Sequence, residues 1–256
     1  MMPNSIGAAG ARLSGLDPEN GVNMMSYASG NRLLDSMPPE DMAKLAEDLE
    51  IITLKAKQST QSAGRAMKHV DFPIDAVLSI VATLKSGESV EVGTVGCESF
   101  VESDAALESS FASRTAFCQV EGRVGRMSIE RFEQRMAVSG GFARSVRHNV
   151  RAALFSSQQF AVCNLKHSVF QRSARWLAMT EDRVGRSTFT LSREFLAIML
   201  GATADGVSKA THRLEQLGSI AYAGNVAQVL DGKSLRGIAC ECYDVSKAAF
   251  EKSLLA

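Results

Sequence analysis

The sequence predicts an α+β protein in which a sandwich or barrel of short strands is joined by one long helix to a C-terminal winged helix-turn-helix. Three observations lead to this fold class. Residues 50–127 contain short strand-like runs separated by glycine and polar turns. Residues 142–164 have the length and apolar periodicity of a single helix. Residues 191–230 have the pattern of two short helices followed by a hairpin.

The N-terminal half begins with a segment that lacks any sustained apolar period. Residues 1–27 are rich in Gly, Ala, Ser and Asn, which predicts a flexible arm. Two short helices follow, the second starting at Pro38 and Pro39 because proline suits the first helical turn. The β-domain, residues 28–138, then has strand candidates at 51–55, 77–84, 90–92, 94–95, 116–120 and 124–127, followed by a helix at 127–134.

The long helix, assigned to residues 139–165, carries one apolar stripe at spacings of three and four. Its members are Val146, Val150, Ala153, Leu154, Ser157, Phe160 and Ala161. A stripe on a helix between two domains needs a partner, and the preferred interpretation is a two-helix dimer seam. The alternative is packing of the same stripe against the protein's own sheet.

The helix-turn-helix is predicted from apolar and small residues within the C-terminal domain, residues 166–256. Leu196 and Leu200 lie one turn apart and give the first helix an apolar face. Gly201 stands at the break, where glycine tolerates the left-handed backbone of a short turn. Thr203 can cap the second helix, which such units lay in the DNA major groove.

A helical hairpin in an unrelated core would show much the same pattern, so the residues that follow decide between the two interpretations. Residues 217–222 and 226–230 are predicted strands, and the Ala-Gly-Asn sequence between them is a turn signal. A hairpin directly after a helix-turn-helix makes a winged helix, whose wing usually meets phosphates.

Composition supports a globular protein without a membrane segment. The chain has 256 residues, 45% hydrophobic and 22% charged, enough for one large or two ordinary domains. The sequence has no apolar run long enough to span a bilayer and no secretory signal, so a cytoplasmic location is predicted. The formal net charge is zero, but basic residues clearly outnumber acidic ones between residues 142 and 213, as suits a DNA-facing half.

The five cysteines do not predict a disulfide framework, because their number is odd and their spacing irregular. Cys240 and Cys242 are close in the sequence, but no second pair of ligands accompanies them at the spacing of a zinc site. No metal site is therefore predicted. An enzyme is not expected either. The sequence has no nucleophile–base pair, metal set or phosphate loop at convincing spacing.

Several segments agree in order and spacing with one family of bacterial proteins. They are residues 72–79, with the form FPxxGxxS except at the glycine, 164–167, 172–177, 195–201 and 239–243. Over residues 31–243 the chain resembles the Crp/Fnr superfamily of transcription regulators. The resemblance implies a jelly-roll-like, cyclic-nucleotide-binding-like barrel, a dimerisation helix and a winged helix-turn-helix. It also implies double-stranded DNA, a second copy of the chain, RNA polymerase and a small-molecule effector as partners.

The resemblance places DNA contacts on both helices of the helix-turn-helix. Ser192 and Arg193 would touch phosphates. Base-facing or neighbouring positions would be Thr203, Ala204, Asp205, Ser208, Lys209, Thr211, His212 and Arg213. Familiar members carry an arginine two residues before the Val207 position or nearby to grip guanine, whereas this chain has Ala204 and Asp205. A different operator is therefore expected. Asp205 either accepts from cytosine or is simply favourable charge in a first helical turn.

The effector is the more open question. Cyclic-nucleotide-binding members bind the ribose with a glycine–glutamate pair and the phosphate with an arginine beside serine or threonine. The residues in matching order are Glu98 or Glu102, then Arg114 and Thr115, with Ser156 and Ser157 of the long helix at the far end of the ligand. Val101 stands where that motif has a glycine, so the motif is incomplete. A cyclic nucleotide is nevertheless the candidate ligand. The alternative is that Arg114 pairs with a carboxylate of the sheet.

Two functions follow from these patterns. The preferred one is a homodimeric, sequence-specific transcription regulator that binds a palindromic operator and is modulated by a small ligand in the barrel. The alternative is a ligand-binding or protein-interaction module whose winged helix has lost specific DNA reading, which Ala204 and Gly206 favour.

Overall fold

The computed structural model describes residues 29–255, so the predicted arm lies outside the described residues. The N-terminal domain contains, in chain order, α1 (Arg32–Asp35), α2 (Pro39–Ala46), β1 (Glu50–Leu54), β2 (Ser59–Gln61), β3 (His69–Pro73), β4 (Val77–Thr83), β5 (Ser89–Val95), α3 (Ser103–Ala106), β6 (Thr115–Val120), β7 (Gly122–Ser128) and α4 (Ile129–Val138). The rest of the chain contains α5 (Gly140–Lys166), α6 (Val169–Val184), β8 (Thr188–Thr190), α7 (Arg193–Leu200), α8 (Ala204–Gln216), β9 (Ile220–Ala223), β10 (Val226–Val229), α9 (Gly232–Ile238) and α10 (Cys242–Leu254).

The N-terminal strands form two antiparallel sheets with a shared apolar interior, which confirms the predicted β-domain. One sheet has the order β1-β7-β3 and the other β2-β6-β4-β5. The side chains buried between them are Leu54, Ala76, Leu78, Val95, Val101, Ala116, Cys118 and Val124. The sequence did not predict β3. Its Asp71 is buried and breaks the apolar alternation, and Arg126 of β7 neutralises it at 2.7 and 2.8 Å.

Aromatic rings join the barrel to the helices around it. Phe72 of β3 stacks on Phe100 with ring centroids 5.8 Å apart, and Phe132 of α4 meets Phe142 of α5 edge-on at 5.6 Å. Phe132 and Phe142 are fully buried. Aromatic pairs in these orientations stabilise beyond the area they bury, so this cluster fixes the start of α5 on the barrel.

The long helix α5 matches its prediction in length, but the predicted stripe straddles two of its faces. Val146 is completely buried within its own chain, one helical turn after the buried Phe142, whereas Leu154 is 60% exposed. Leu154 lies on an outward face with Phe155, Val162 and Leu165, which are also exposed. Part of the stripe therefore packs within the protein, as the alternative predicted, and the dimer seam stays a prediction for the exposed part.

The C-terminal domain confirms the predicted winged helix-turn-helix. Gly201 has φ +55° at the break between α7 and α8, and the Thr203 hydroxyl accepts from the Gly206 N–H at 3.1 Å to cap α8. The wing is the β9–β10 hairpin, extended by β8 into a sheet of order β8-β10-β9. The core buries Trp176, Leu177, Leu196, Leu200, Val207 and Leu214.

After the wing the chain forms α9 and then α10, neither of which the sequence predicted. α10 packs along α5. Its Leu254 reaches the cluster around Phe132, and Glu251 lies 4.0 Å from Arg32 of α1. Among residues 29–255, no helix combines the length and the apolar character needed to cross a membrane.

Candidate nucleic-acid interface

The outer face of α8 is open and polar. Its inner residues Val207, Ala210 and Leu214 are buried against α6 and α7. The outward residues include Ala204, Asp205, Lys209, His212, Arg213 and Gln216, all exposed. The structure thus brings most of the predicted base-facing residues to one accessible surface.

Asp205 and Lys209 form an ion pair on this surface. The carboxylate lies 2.7 Å from the Lys209 ammonium, one helical turn away, and both side chains are more than 70% exposed. Exposed pairs at this spacing contribute only about 0.3–0.5 kcal/mol, so phosphates or bases can replace either partner. Next to them, His212 Nδ1 lies 2.8 Å from the Ser208 carbonyl oxygen and 3.4 Å from its hydroxyl.

Ser192 and Arg193 have different contacts from one another. The Ser192 hydroxyl caps α7 by accepting from the Phe195 N–H at 3.1 Å, and its own O–H stays available for a phosphate oxygen. Arg193 instead donates to Thr211 Oγ1 and to Glu215, each at 2.9 Å, with its guanidinium 4.2 Å from the centre of the Tyr222 ring.

Arg193 therefore joins α7, α8 and β9, and a phosphate contact would have to displace Glu215. Sequence reasoning missed this role because the acid and the aromatic ring are more than 20 residues away from the arginine along the chain. Arg213 also rests on an aromatic ring, with its guanidinium 4.4 Å from the centre of Phe170, but the residue is exposed.

Comparison with known families identifies this part of the chain. Residues 171–238 match the family model of the Crp-like helix-turn-helix domain. The C-terminal domain is a Crp-like helix-turn-helix domain. No curated protein sequence matches the chain.

Solved structures extend the likeness to the barrel and the long helix. FixK2 from Bradyrhizobium japonicum is 14% identical with a TM-score of 0.61, covering 75% of this chain and 98% of its own. A CRP-family transcriptional regulator from Thermus thermophilus is 20% identical with a TM-score of 0.61, covering 73% and 96%. The c-di-GMP-responsive global regulator CLP from Xanthomonas campestris is 15% identical with a TM-score of 0.58, covering 75% and 99%. The protein thus has the Crp/Fnr fold.

A buried ion pair holds the Crp-like domain against the barrel. Arg183 of α6 lies 2.7 Å from Glu98, both side chains are less than 10% exposed, and Arg183 also donates to the Thr94 carbonyl at 3.1 Å. A Cβ at Gly96 would lie 2.4 Å from the Arg183 Cγ, so only glycine lets the arginine stem pass. Glu98, predicted to bind a ligand, is here committed to this contact.

Apolar and polar contacts widen this junction. Phe117 of β6 meets Phe195 of α7 edge-on at 6.0 Å, and the Trp176 indole N–H donates to Glu91 at 3.3 Å. Val77 and Val120 of the barrel belong to the same apolar cluster as the helix-turn-helix core. The C-terminal domain is thus packed on the sheet β2-β6-β4-β5.

The other predicted ligand residues have contacts of their own within the chain. Arg114 is exposed and donates to the Ser113 carbonyl, and Thr115 Oγ1 accepts from the Ala63 N–H. Ser157 is exposed and donates to the Val92 carbonyl at 3.2 Å, while Ser156 is buried without a hydrogen-bond partner among the described residues. A cyclic-nucleotide site in the barrel stays a prediction.

Glu102 differs from Glu98 in keeping free hydrogen-bonding capacity. It is 4% exposed and has φ +72°. One carboxylate oxygen accepts from the Asp71 N–H at 3.1 Å, and the other has no partner within the described part of the chain. Burial, reinforced by the nearby charge of Asp71, holds the pKa of Glu102 well above its usual value.

This raised pKa predicts a pH-dependent stability that Glu102→Gln removes. The unfolded chain releases the proton first as pH rises, so the contribution is greatest below the ordinary pKa of 4.5 and is lost as pH rises through the folded value. Glutamine keeps an acceptor for the Asp71 N–H. We expect a higher free energy of unfolding near pH 7 and a flatter profile as pH rises above the ordinary pKa of 4.5, measured by urea unfolding. An exposed control, Glu108→Gln, should leave the profile unchanged, and a wild-type slope in Glu102→Gln would contradict the expectation.

A different cluster, at the far end of α5, combines metal-ligating side chains. The ligand atoms of Cys163, His167, Cys240 and Cys242 all lie within 4.8 Å of one another. The sequence pattern drew attention to Cys240 and Cys242 alone. Cys163 and His167 have the Cys-x-x-x-His spacing that puts two side chains on one helix face, and that signal went unused.

Proposed function

We propose that this protein is a homodimeric, sequence-specific DNA-binding transcription regulator. The observation that carries the proposal is the exposed outer face of α8 within a Crp-like helix-turn-helix domain that also has a wing. A helix with buried inner residues and free polar outer residues is the form that enters a major groove. The basic residues Lys209 and Arg213 supply the attraction to phosphates.

The outward face of α5 supports pairing with a second copy. Leu154 and Leu165 are 60% and 83% exposed, and with Gln158 and Ala161 they repeat at spacings of four and three, as in a coiled-coil seam. Phe155 and Val162 flank this row. A helix of 27 residues is about 40 Å long, enough for an extended two-fold seam. Such a dimer would present two α8 helices to half-sites about 34 Å apart.

The alternative, a module whose winged helix no longer reads DNA, is favoured by one specific feature. Asp205 puts a carboxylate in the first turn of α8 and forms an ion pair with the Lys209 ammonium. A carboxylate there repels phosphates unless it accepts a hydrogen bond from a base such as cytosine.

Binding-site selection followed by footprinting distinguishes the two functions. The full chain should protect a palindromic site with half-sites one helical turn apart, with affinity that falls steeply as salt rises. Lys209→Ala with Arg213→Ala should weaken binding, whereas Lys85→Ala, in an exposed turn of the barrel, should not. Uniform, sequence-blind binding would favour the alternative.

Asp205 gives a sharper test of base reading. We expect Asp205→Ala to bind unrelated DNA more tightly, because one negative charge is removed and Lys209 is released. Discrimination between the selected operator and a variant at the contacted base pair should fall by about 1–3 kcal/mol. Fluorescence anisotropy at several salt concentrations measures both quantities. An unchanged preference would show that Asp205 reads no base.

We propose further that a small ligand in the barrel modulates DNA binding. Glu102 supports this, since its unpaired buried oxygen can form a hydrogen bond with a ligand hydroxyl beside the Asp71–Arg126 pair. A thermal-shift screen of cAMP, cGMP and c-di-GMP tests the idea. A shift that disappears in Glu102→Gln supports the site, and a shift that persists places the ligand elsewhere.

A further inference from the structure

We propose that Cys163, His167, Cys240 and Cys242 form a structural Zn²⁺ site that locks the end of α5 to the start of α10. Four potential ligands, three of them thiols, converge from segments 77 residues apart in the chain. Three thiolates and one imidazole form a common closed ligand set for structural zinc.

The distances fit a single tetrahedral ion. Cys163 Sγ lies 3.4 Å from Cys240 Sγ, and Cys242 Sγ lies 3.6 Å from His167 Nδ1. Zinc–sulfur bonds of about 2.3 Å at tetrahedral angles place sulfur atoms about 3.8 Å apart, and sulfur to nitrogen slightly less. The observed spacing is therefore close to that of an occupied site, and small rotamer shifts suffice to reach it.

The local structure explains how the ligands converge. Cys163 and His167 stand one turn apart at the end of α5, where His167 is the C-cap residue, so both face the same side. Cys240 precedes α10 and Cys242 opens it, so this second pair approaches from the link after α9. The three cysteines are at most 3% exposed and form a small cluster of their own.

Neighbouring polar groups orient the ligands as they do around known metals. His167 Nε2 lies 3.1 Å from the Glu241 carboxylate, which turns Nδ1 toward the thiols. Gln159 donates to Cys242 Sγ at 3.2 Å. Metal-bound histidines typically have such a carboxylate on the second ring nitrogen.

A buried positive charge lies near the cluster, because the Arg175 guanidinium interacts electrostatically with Cys163. Arg175 is buried on α6, and its guanidinium lies 4.2 Å from the centre of the Phe160 ring. A zinc ion with three thiolates carries one net negative charge, which a buried arginine compensates.

The donor set selects the metal. Thiolates disfavour Mg²⁺ and Ca²⁺, which prefer oxygen ligands, and tetrahedral sulfur and nitrogen sites suit Zn²⁺. The alternative chemistry is a disulfide between Cys163 and Cys240. Both thiols are free in this structure, and a disulfide would use two ligands and leave Cys242 and His167 beside it.

The metal content of the untagged full chain, purified under reducing conditions, tests the proposal. We expect about one zinc per chain by elemental mass spectrometry. X-ray absorption should show about three sulfur neighbours at about 2.3 Å and one nitrogen at about 2.0 Å. Cys163→Ser and Cys242→Ser should lose most of the metal. Cys97→Ser, which changes a cysteine outside the cluster, should keep it.

Because a ligand variant can fail to fold, the wild-type protein provides a second readout. Chelation should lower the Tm by about 10 °C, and Zn²⁺ should restore it. Co²⁺ added to the chelated protein should give the visible absorption of a tetrahedral thiolate site, which Zn²⁺ then abolishes. Reduced wild-type protein that contains no zinc and binds no Co²⁺ would overturn the proposal. A Cys163–Cys240 disulfide in the native protein, found by non-reducing peptide mapping, would overturn it as well.

Discussion

The double variant Leu154→Glu with Leu165→Glu is expected to be a folded monomer that binds its operator at least about 100-fold more weakly than the wild type. Both leucines point away from their own chain on α5, so charging them leaves the intramolecular core intact. In a two-helix seam, the same change would put four carboxylates into a desolvated row. A monomer has only one α8 helix to place on DNA. It therefore loses the gain in affinity that two linked half-site contacts provide, typically 10²–10⁴-fold.

Light scattering on a sizing column measures the change in mass, and anisotropy with the operator measures the affinity. A matched control is Leu84→Glu with Leu107→Glu, two leucines of the barrel that are 55% and 66% exposed. That control should remain dimeric and bind normally. A dimer that persists in the α5 variant would place the subunit interface on another surface.

Breaking the pair between Glu98 and Arg183 is expected to destabilise the protein more than any other single change at the junction. Glu98→Ala leaves a buried guanidinium without its carboxylate, which typically costs about 3–5 kcal/mol. For a chain of this size we expect the Tm to fall by roughly 10 °C. Gly96→Ala should act in the same direction, since the added methyl group would collide with the Arg183 stem.

A double-mutant cycle separates the pair from general damage. Glu98→Met with Arg183→Met should regain much of the stability, because apolar replacement of a buried pair is often neutral. The pair Asp75–Arg123, at 2.8 Å, is the matched control because its side chains are 27% and 58% exposed, and Arg123→Ala should cost under about 1 kcal/mol. Equal losses at the two pairs, in thermal and urea unfolding, would show that Glu98 and Arg183 do not couple the domains.

The helix-turn-helix was predictable because its information is local. The spacing of Leu196 and Leu200, the left-handed glycine at 201 and the cap at Thr203 each act within a few residues. The barrel strands were predictable for the same reason wherever apolar residues alternate. Strand β3 was not, because Asp71 becomes acceptable in a strand only when Arg126, 55 positions later, pairs with it.

The contacts of the candidate site residues were harder to predict than the fold, for a related reason. The resemblance predicts a phosphate contact for Arg193, and in the structure Glu215 and Tyr222 engage its guanidinium. Glu98 fits a ligand motif, yet Arg183 engages it across the junction. Both residues have an intramolecular partner that is distant in the sequence, and a pattern in one sequence does not identify such a partner.

The return of α10 along α5 has a consequence for how the protein is made. Leu254 and Glu251 complete a surface that includes α1, although the ribosome synthesises these segments far apart in time. The apolar cluster around the first helices therefore stays partly exposed until the residues of α10 leave the ribosome. Apolar surface that is exposed during synthesis is the kind of surface that chaperones bind.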